Sequence, residues 1–180
     1  MKFEKILPQL VSFFKDTKCN FAMVGAFSLH AYGLSRSTAD LDFITELRCQ
    51  EGLVHFLEGL GYETIYRSSG YSNHVHPISS MGRLDFIYIY GKTAETLFSE
   101  TKKTLELCGC KVPVPRPEHI IALKVLAMKN NPSRTFQEMA DIQFLMDLPG
   151  IDDSMVKESF KKWGMLERYN EIKEKQKFSK

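Results

Sequence analysis

Asp40 and Asp42 stand two positions apart in the run Thr38-Ala-Asp-Leu-Asp-Phe-Ile-Thr45. Side chains alternate across a strand, so the two carboxylates point one way while Leu41 and Phe43 point the other. Carboxylates held that close repel each other unless a proton or a cation lies between them. Mg²⁺, a hard ion that prefers oxygen ligands, suits such a pair, the more so where a phosphate adds oxygens of its own. A place for phosphate precedes them. The run Met23-Val-Gly-Ala-Phe-Ser-Leu-His-Ala-Tyr-Gly33 predicts an apolar strand ending at Gly25 and a helix over 26–32 closed by Gly33. The first N–H groups of a helix are unpaired and attract anions.

Further along, Asp85 interrupts the apolar strand Arg83-Leu-Asp-Phe-Ile-Tyr-Ile-Tyr90. A carboxylate buried without a partner is costly, so Asp85 calls for Arg83, a backbone donor or a metal, or else an edge position facing water. Lys124 is the lone charge in the apolar run Ile120–Met128 and either snorkels to the surface or meets an anion. Arg134, Glu138 and Asp141 follow it, with ion pairing between helices as the expected role of Glu138. His74-Val-His76 places two imidazoles at a spacing that can bind zinc, but no further ligand lies nearby in sequence. Cys108-Gly-Cys110 reads as a turn, and His30 as a hydrogen-bonded histidine of the core.

The elements needed to position these residues are legible. Ile6, Leu10, Phe13 and Phe14 mark an amphipathic first helix, and 50–60 a helix closed by Gly61. Strands are expected at 21–24, 41–44, 63–67, 73–78, 83–90 and 104–107, with a short helix at 93–98. Ser69-Gly70 and Met81-Gly82 mark turns between strands. Pro113, Pro115 and Pro117 then force an extended crossing, beyond which helices are expected at 118–129, 135–147, 154–163 and 165–175. The expected organisation is an α/β core over 1–112 and a C-terminal helical region over 113–180 packed on it.

Composition bounds the function. The chain has 180 residues, 43% of them hydrophobic, enough for one good core. A net charge of +2 argues against a dedicated nucleic-acid coat, although 101–134 is locally basic, through Lys102, Lys103, Lys111, Arg116, Lys124, Lys129 and Arg134. That strip is either a solvated face or a surface for triphosphate or a tRNA-like acceptor. No apolar run is long enough to span a membrane. The four cysteines lack the density of a disulfide scaffold, so a reducing cytoplasm is the expected compartment.

The strand, turn, spacer and Asp-x-Asp together resemble the nucleotidyltransferase fold superfamily. Val24-Gly25-Ala26, a spacer over 27–39 and Asp40-Leu41-Asp42-Phe43 carry the likeness. Tyr32, Gly33, Arg36, Thr38, Asp40 and Asp42 also fill a run typical of the minimal, abortive-infection (AbiEii-type) branch. Ala26 stands where that pattern has a second Gly or Ser, and Ser28 is the candidate substitute for the missing hydroxyl. The resemblance implies an α+β fold, a polymerase-beta-like mixed sheet flanked by helices and followed by a helical bundle.

It also implies Mg²⁺-dependent transfer of NMP from an NTP such as ATP to a hydroxyl on tRNA, a protein or a small molecule. Asp40, Asp42 and Asp85 would hold two metal ions (Mg²⁺, or Mn²⁺ in its place), with Asp85 on the acceptor side. Gly25, Ala26, Ser28, Arg36, Thr38 and Lys124 would line the nucleotide phosphates. The three carboxylates are expected to converge on one concave site. A cognate antitoxin is an implied partner, and the alternative is a catalytically inactive protein that binds nucleotide or a partner.

Overall fold

A computed structural model describes residues 3–178. The chain divides into two compact units between Arg116 and Pro117, four residues beyond the boundary expected at 112. The reason is local. Pro113 and Val114 finish a strand instead of starting the crossing, because Pro113 sits opposite Thr104 in a two-stranded ladder where a missing N–H is tolerated.

The first unit begins with α1 (Phe3–Asp16), whose Ile6, Leu7, Leu10 and Phe14 recur at helical spacing and are all buried. It continues through β1 (Phe21–Met23), α2 (Gly25–His30), β2 (Asp40–Glu46), α3 (Gln50–Gly59), β3 (Glu63–Arg67), β4 (Tyr71–Val75), β5 (Arg83–Ile89) and α4 (Gly91–Glu100). A hairpin of β6 (Lys103–Leu107) and β7 (Cys110–Val114) completes it, turning through Cys108 and Gly109, both at positive φ. Five strands form one mixed sheet in the order β1-β2-β5-β4-β3, with only β2 and β5 parallel.

Alternation along β2 and β5 sorts the residues onto two faces. Leu41, Phe43, Leu84 and Phe86 occupy the inner face and are almost wholly buried, each contributing roughly 1.5–3 kcal/mol. Phe43 and Phe86 stack with centroids 5.5 Å apart, and Phe14 of α1 lies over Phe21 at 4.3 Å. Asp40, Asp42, Arg83 and Asp85 fall on the opposite face.

The inner face also carries a polar string. The Ser72 hydroxyl lies 2.7 Å from His74 Nε2 and 2.6 Å from the Tyr88 hydroxyl, and Thr64 lies 3.1 Å from His74 Nδ1. Burial drives the His74 pKa down to about 4 against the pull of the Asp85 and Glu58 charges, so the ring is neutral. Both ring nitrogens of His74 are already engaged by hydroxyls, so it does not offer zinc a free nitrogen. β4 ends at Val75, and His76 beyond it accepts from the Ile78 N–H at 3.0 Å and packs edge-on against Tyr62.

Cys19 and Cys49 are joined in a disulfide with Cα atoms 6.3 Å apart, a pairing the sequence did not suggest, while Cys108 and Cys110 are free thiols. The bond closes a span of 30 residues running from the entry of β1 to the start of α3, and this span holds the whole Gly25-to-Asp42 signature. Among the described residues no helix is long and apolar enough to cross a membrane.

The second unit is helical: α5 (Pro117–Asn130), α6 (Thr135–Met146), α7 (Asp153–Lys162) and α8 (Leu166–Phe178). Asp152 caps α7 by accepting from the Met155 N–H, and the buried Glu118 accepts from the Asp152 N–H at 2.8 Å. The last helix, expected over 165–175, runs as α8 to Phe178; Ser179 and Lys180 lie outside the described residues.

Candidate active site

Parallel pairing of β2 with β5 sets Asp42 directly beside Asp85 and Asp40 beside Arg83. Register partners share a face, so the three carboxylates and the guanidinium occupy one patch. Two features bring the strand starts together. Gly82 turns at φ +80, where an added Cβ would lie 2.6 Å from the Phe3 ring and 3.3 Å from the Ala39 carbonyl. Nothing larger than glycine lets the chain enter β5 so close to the residues that lead into β2.

Gly25 is the second. It follows β1 at φ +62, and a Cβ there would lie 2.8 Å from Asp42 Cβ and 2.5 Å from its Cγ, and would overlap its Oδ2. The Gly25 turn is therefore pressed against the Asp42 carboxylate, in contact that only a residue without a side chain allows. α2, at six residues, is shorter than the helix expected over 26–32, so its dipole is slight.

The other expected phosphate contacts sit as follows. Ser28 is fully buried and donates to the Gly25 carbonyl at 2.8 Å, so its hydroxyl braces the turn and is not presented to a phosphate. The Ala26 side chain is buried as well. Thr38 lies two residues before Asp40, whose N–H approaches its hydroxyl at 3.4 Å. Arg36 belongs to the loop over 31–39, which His30 pins through contacts of 3.3 Å to the Arg36 N–H and carbonyl. His30 is hydrogen-bonded as expected, but it is half-buried and not in the core.

Charge in the patch is partly neutralised from within. Asp85 Oδ1 accepts from Arg83 Nε at 2.8 Å and from Asn73 Nδ2 at 2.7 Å. The Asp85 hydrogen bond lifts the Arg83 pKa above its ordinary value against the cost of burial, with the charges of Asp85, Asp40 and Asp42 adding to it. Arginine is thus firmly cationic beside three carboxylates.

The donor set, carboxylates without a soft ligand, suits a hard divalent cation. The side chains are nonetheless not gathered as the sequence led one to expect. Among the described residues no three His, Cys, Asp or Glu side chains converge closely enough to hold a metal ion. The strands place the three carboxylates on one sheet face, with Asp85 held by Arg83 and Asn73. An open cavity of about 520 Å³ lies toward the other end of β2 and β5, between Glu46, Ile89, Tyr90, Ala94 and Phe98, and does not include the carboxylates.

Lys124 meets its anion inside the helical unit. It is 5% exposed, and its ammonium donates to Glu138 Oε2 at 2.8 Å and to Asp141 Oδ2 at 2.6 Å. Arg134 pairs with the second oxygen of Glu138. The structure thus puts two carboxylates where the resemblance had implied phosphate, and the interhelical pairing expected of Glu138 is what holds the lysine. In sequence the partners are marked only by their helical spacing, which is common.

Arg83 is the partner that the sequence offered for Asp85, whereas sequence reasoning missed Asn73. Asn73 carries no signal of its own, since its closeness to Asp85 comes from the antiparallel register of β4 with β5.

With this geometry in place, the fold can be compared with solved structures. The chain matches no known protein-family model and no curated protein sequence. In three dimensions it is similar to the antibiotic-resistance factor ANT(2'')-Ia, with a TM-score of 0.67 and 11% identity over 93% of this chain and 96% of that one. It is similar to the lincosamide antibiotic adenylyltransferase LnuA with lincomycin bound, at TM-score 0.53 and 15% identity over 82% and 97% of the two chains. A nucleotidyltransferase-class protein from Thermotoga maritima gives TM-score 0.55 and 13% identity over 78% and 93%. The mixed sheet flanked by helices is therefore a nucleotidyltransferase fold. The likeness to the abortive-infection branch rests on its sequence motif alone.

Proposed function

We propose that this protein is a nucleotidyltransferase that moves NMP from an NTP to a hydroxyl acceptor. The observation that carries the reading is the in-register pairing of Asp42 with Asp85 on one sheet face, with the Gly25 turn pressed against Asp42. Two Mg²⁺ ions, or Mn²⁺ in their place, held by Asp40, Asp42 and Asp85, would supply charge neutralisation on the triphosphate and a lowered pKa at the acceptor hydroxyl.

The chain's own groups divide the remaining work by position. Gly25 leads into α2 and lies against Asp42, so the backbone N–H groups of the first turn face the terminal phosphates from the β1 side. Arg36, in the loop that enters β2, adds positive charge as the leaving pyrophosphate develops. Asp85 lies on the far side of Asp42, toward β4, and takes the proton from the incoming hydroxyl. Arg83 and Asn73 orient that carboxylate. Lys124 is left out of the chemistry because its charge is already met.

The acceptor classes in view are tRNA, a protein hydroxyl and small antibiotics of the kind named for the neighbours. ATP is the first donor to try. A cognate antitoxin and a cytoplasmic location follow only if the abortive-infection likeness extends to biology. The Arg83–Asp85 pair favours a second reading, a nucleotide-binding protein without transfer, because an arginine already occupies one oxygen of the candidate base.

One experiment separates the two. The protein is incubated with each α-labelled NTP and Mg²⁺, alone and with total tRNA, cell extract, lincomycin or tobramycin. Label should pass to one acceptor class and vanish in Asp42→Asn, which removes charge without volume. Transfer at full rate by a folded Asp42→Asn protein refutes the assignment. NTP binding without transfer to any acceptor supports the second reading.

A further inference from the structure

Asp42 pairs with Asp85, Asp85 with Asn73, and Asn73 with Tyr66. The four side chains therefore form one transverse row across β2, β5, β4 and β3, all on the face that carries the candidate site. Tyr66 reaches this row through a break in register. Thr64 sits opposite His74, and the next pair is Tyr66 with Asn73, so Ile65 is the extra residue of a bulge. Without the bulge, alternation would turn Tyr66 to the inner face; with it, the ring is re-aimed beside Asn73.

Tyr71 stands on the same face, two residues before Asn73. Its ring stacks on Tyr66 at 4.6 Å with planes 15° apart. The close Tyr66 phenol raises the Tyr71 pKa above its ordinary value. Tyr66 is 46% and Tyr71 45% exposed, as expected if each ring covers one face of its neighbour and shows the other to solvent. Strand spacing puts Tyr66 roughly 10 Å from Asp85, on the side away from the Gly25 turn.

We infer that the Tyr66–Tyr71 pair is an acceptor subsite, a shelf on which a planar, uncharged ring of the acceptor stacks while its hydroxyl reaches Asp85. The inference rests on the proposed transfer reaction only for the assignment of Asp85 to the acceptor side. The ligand chemistry follows from what the shelf offers. Two stacked phenols present π surface, which binds a flat heteroaromatic ring well. A hydroxyl held at Asp85 and a ring over the tyrosines are separated by two strand spacings less the reach of the side chains. That span matches the distance from a ribose hydroxyl to its own base, so the favoured class is a nucleoside-type acceptor. Continuity of the row with the carboxylates makes the shelf part of the same site and not an isolated aromatic patch.

The test reads the tyrosines directly. Aromatic-carbon NMR of the full chain, with Mg²⁺ and a non-hydrolysable NTP present, is followed as cytidine or free ribose is added. Cytidine should shift the Tyr66 and Tyr71 ring signals, and ribose should leave them in place. Tyr66→Ala or Tyr71→Ala should weaken cytidine binding at least about fivefold, and Tyr66→Phe should retain most of it. NTP binding should be unchanged in all three variants. Cytidine that leaves both rings unshifted, binds the alanine variants equally well, or is matched by ribose overturns the shelf. Loss of NTP binding in the unaltered protein, with the cytidine response intact, instead overturns the transfer reading and spares the shelf.

Discussion

Gly25→Ala tests the junction on which the site depends. Two costs add. An alanine held at φ +62 pays roughly 1–2 kcal/mol for the left-handed conformation. The new methyl would also lie 2.8 Å from Asp42 Cβ, an atom anchored by the β2 backbone, so rotating the carboxylate cannot clear it. Shifting the turn or the strand costs a further ~1–3 kcal/mol. The expected loss is about 3 kcal/mol, or roughly 6–12 °C in Tm for a chain of this size. Urea and thermal melts followed by far-UV circular dichroism measure it. A double-mutant cycle with Asp42→Gly apportions it: removing the Asp42 side chain should recover the clash but not the backbone cost, giving a coupling of ~1–2 kcal/mol. A loss below about 1 kcal/mol, or the same loss in the Asp42→Gly background, refutes the close contact between turn and carboxylate.

Three further outcomes follow from the buried groups. Lys124→Met should destabilise by about 3–5 kcal/mol, since it takes the ammonium from the buried carboxylates of Glu138 and Asp141, and a variant that also carries Glu138→Gln and Asp141→Asn should regain stability. The folded His74 pKa of about 4 lies below its ordinary 6.5, so its contribution is complete above pH 6.5 and is lost as pH falls toward 4. That is about 3 kcal/mol over the window, and His74→Gln should flatten urea stability against pH there. Closing a span of 30 residues, the Cys19–Cys49 bond should contribute about 3.6 kcal/mol, so Cys19→Ala with Cys49→Ala should melt lower, and a thiol titration of the denatured, unreduced protein should find only Cys108 and Cys110.

The residues themselves determined what depends on neighbours in the chain. Strand alternation put Asp40 and Asp42 on one face, helical spacing in α1 marked Ile6 and Leu10 for the core, and the Cys108-Gly109 pair announced its turn. These signals have periods of a few residues and survive in any tertiary setting. The motif from Val24 to Phe43 even carried the fold class, because it encodes a whole strand, turn, helix and strand.

Tertiary structure decided everything that depends on register and distance. Asp85 lies beside Asp42 only because β5 runs parallel to β2 and starts opposite Asp40, a pairing that the intervening α3, β3 and β4 must first permit. The proline run suggested a boundary at 112, but Pro113 could join β7 because its partner strand needed no donor there. Lys124 looked like a phosphate ligand in one dimension, since its apolar neighbours hid the two carboxylates that α6 brings against it. Cys19 and Cys49 gave no local sign of bonding, and Tyr66 reached the candidate site only through a one-residue bulge. Each outcome is a contact between chain segments far apart in sequence. Local propensity is blind to such contacts, and packing selects among them by burying apolar area while leaving no charge unpaired.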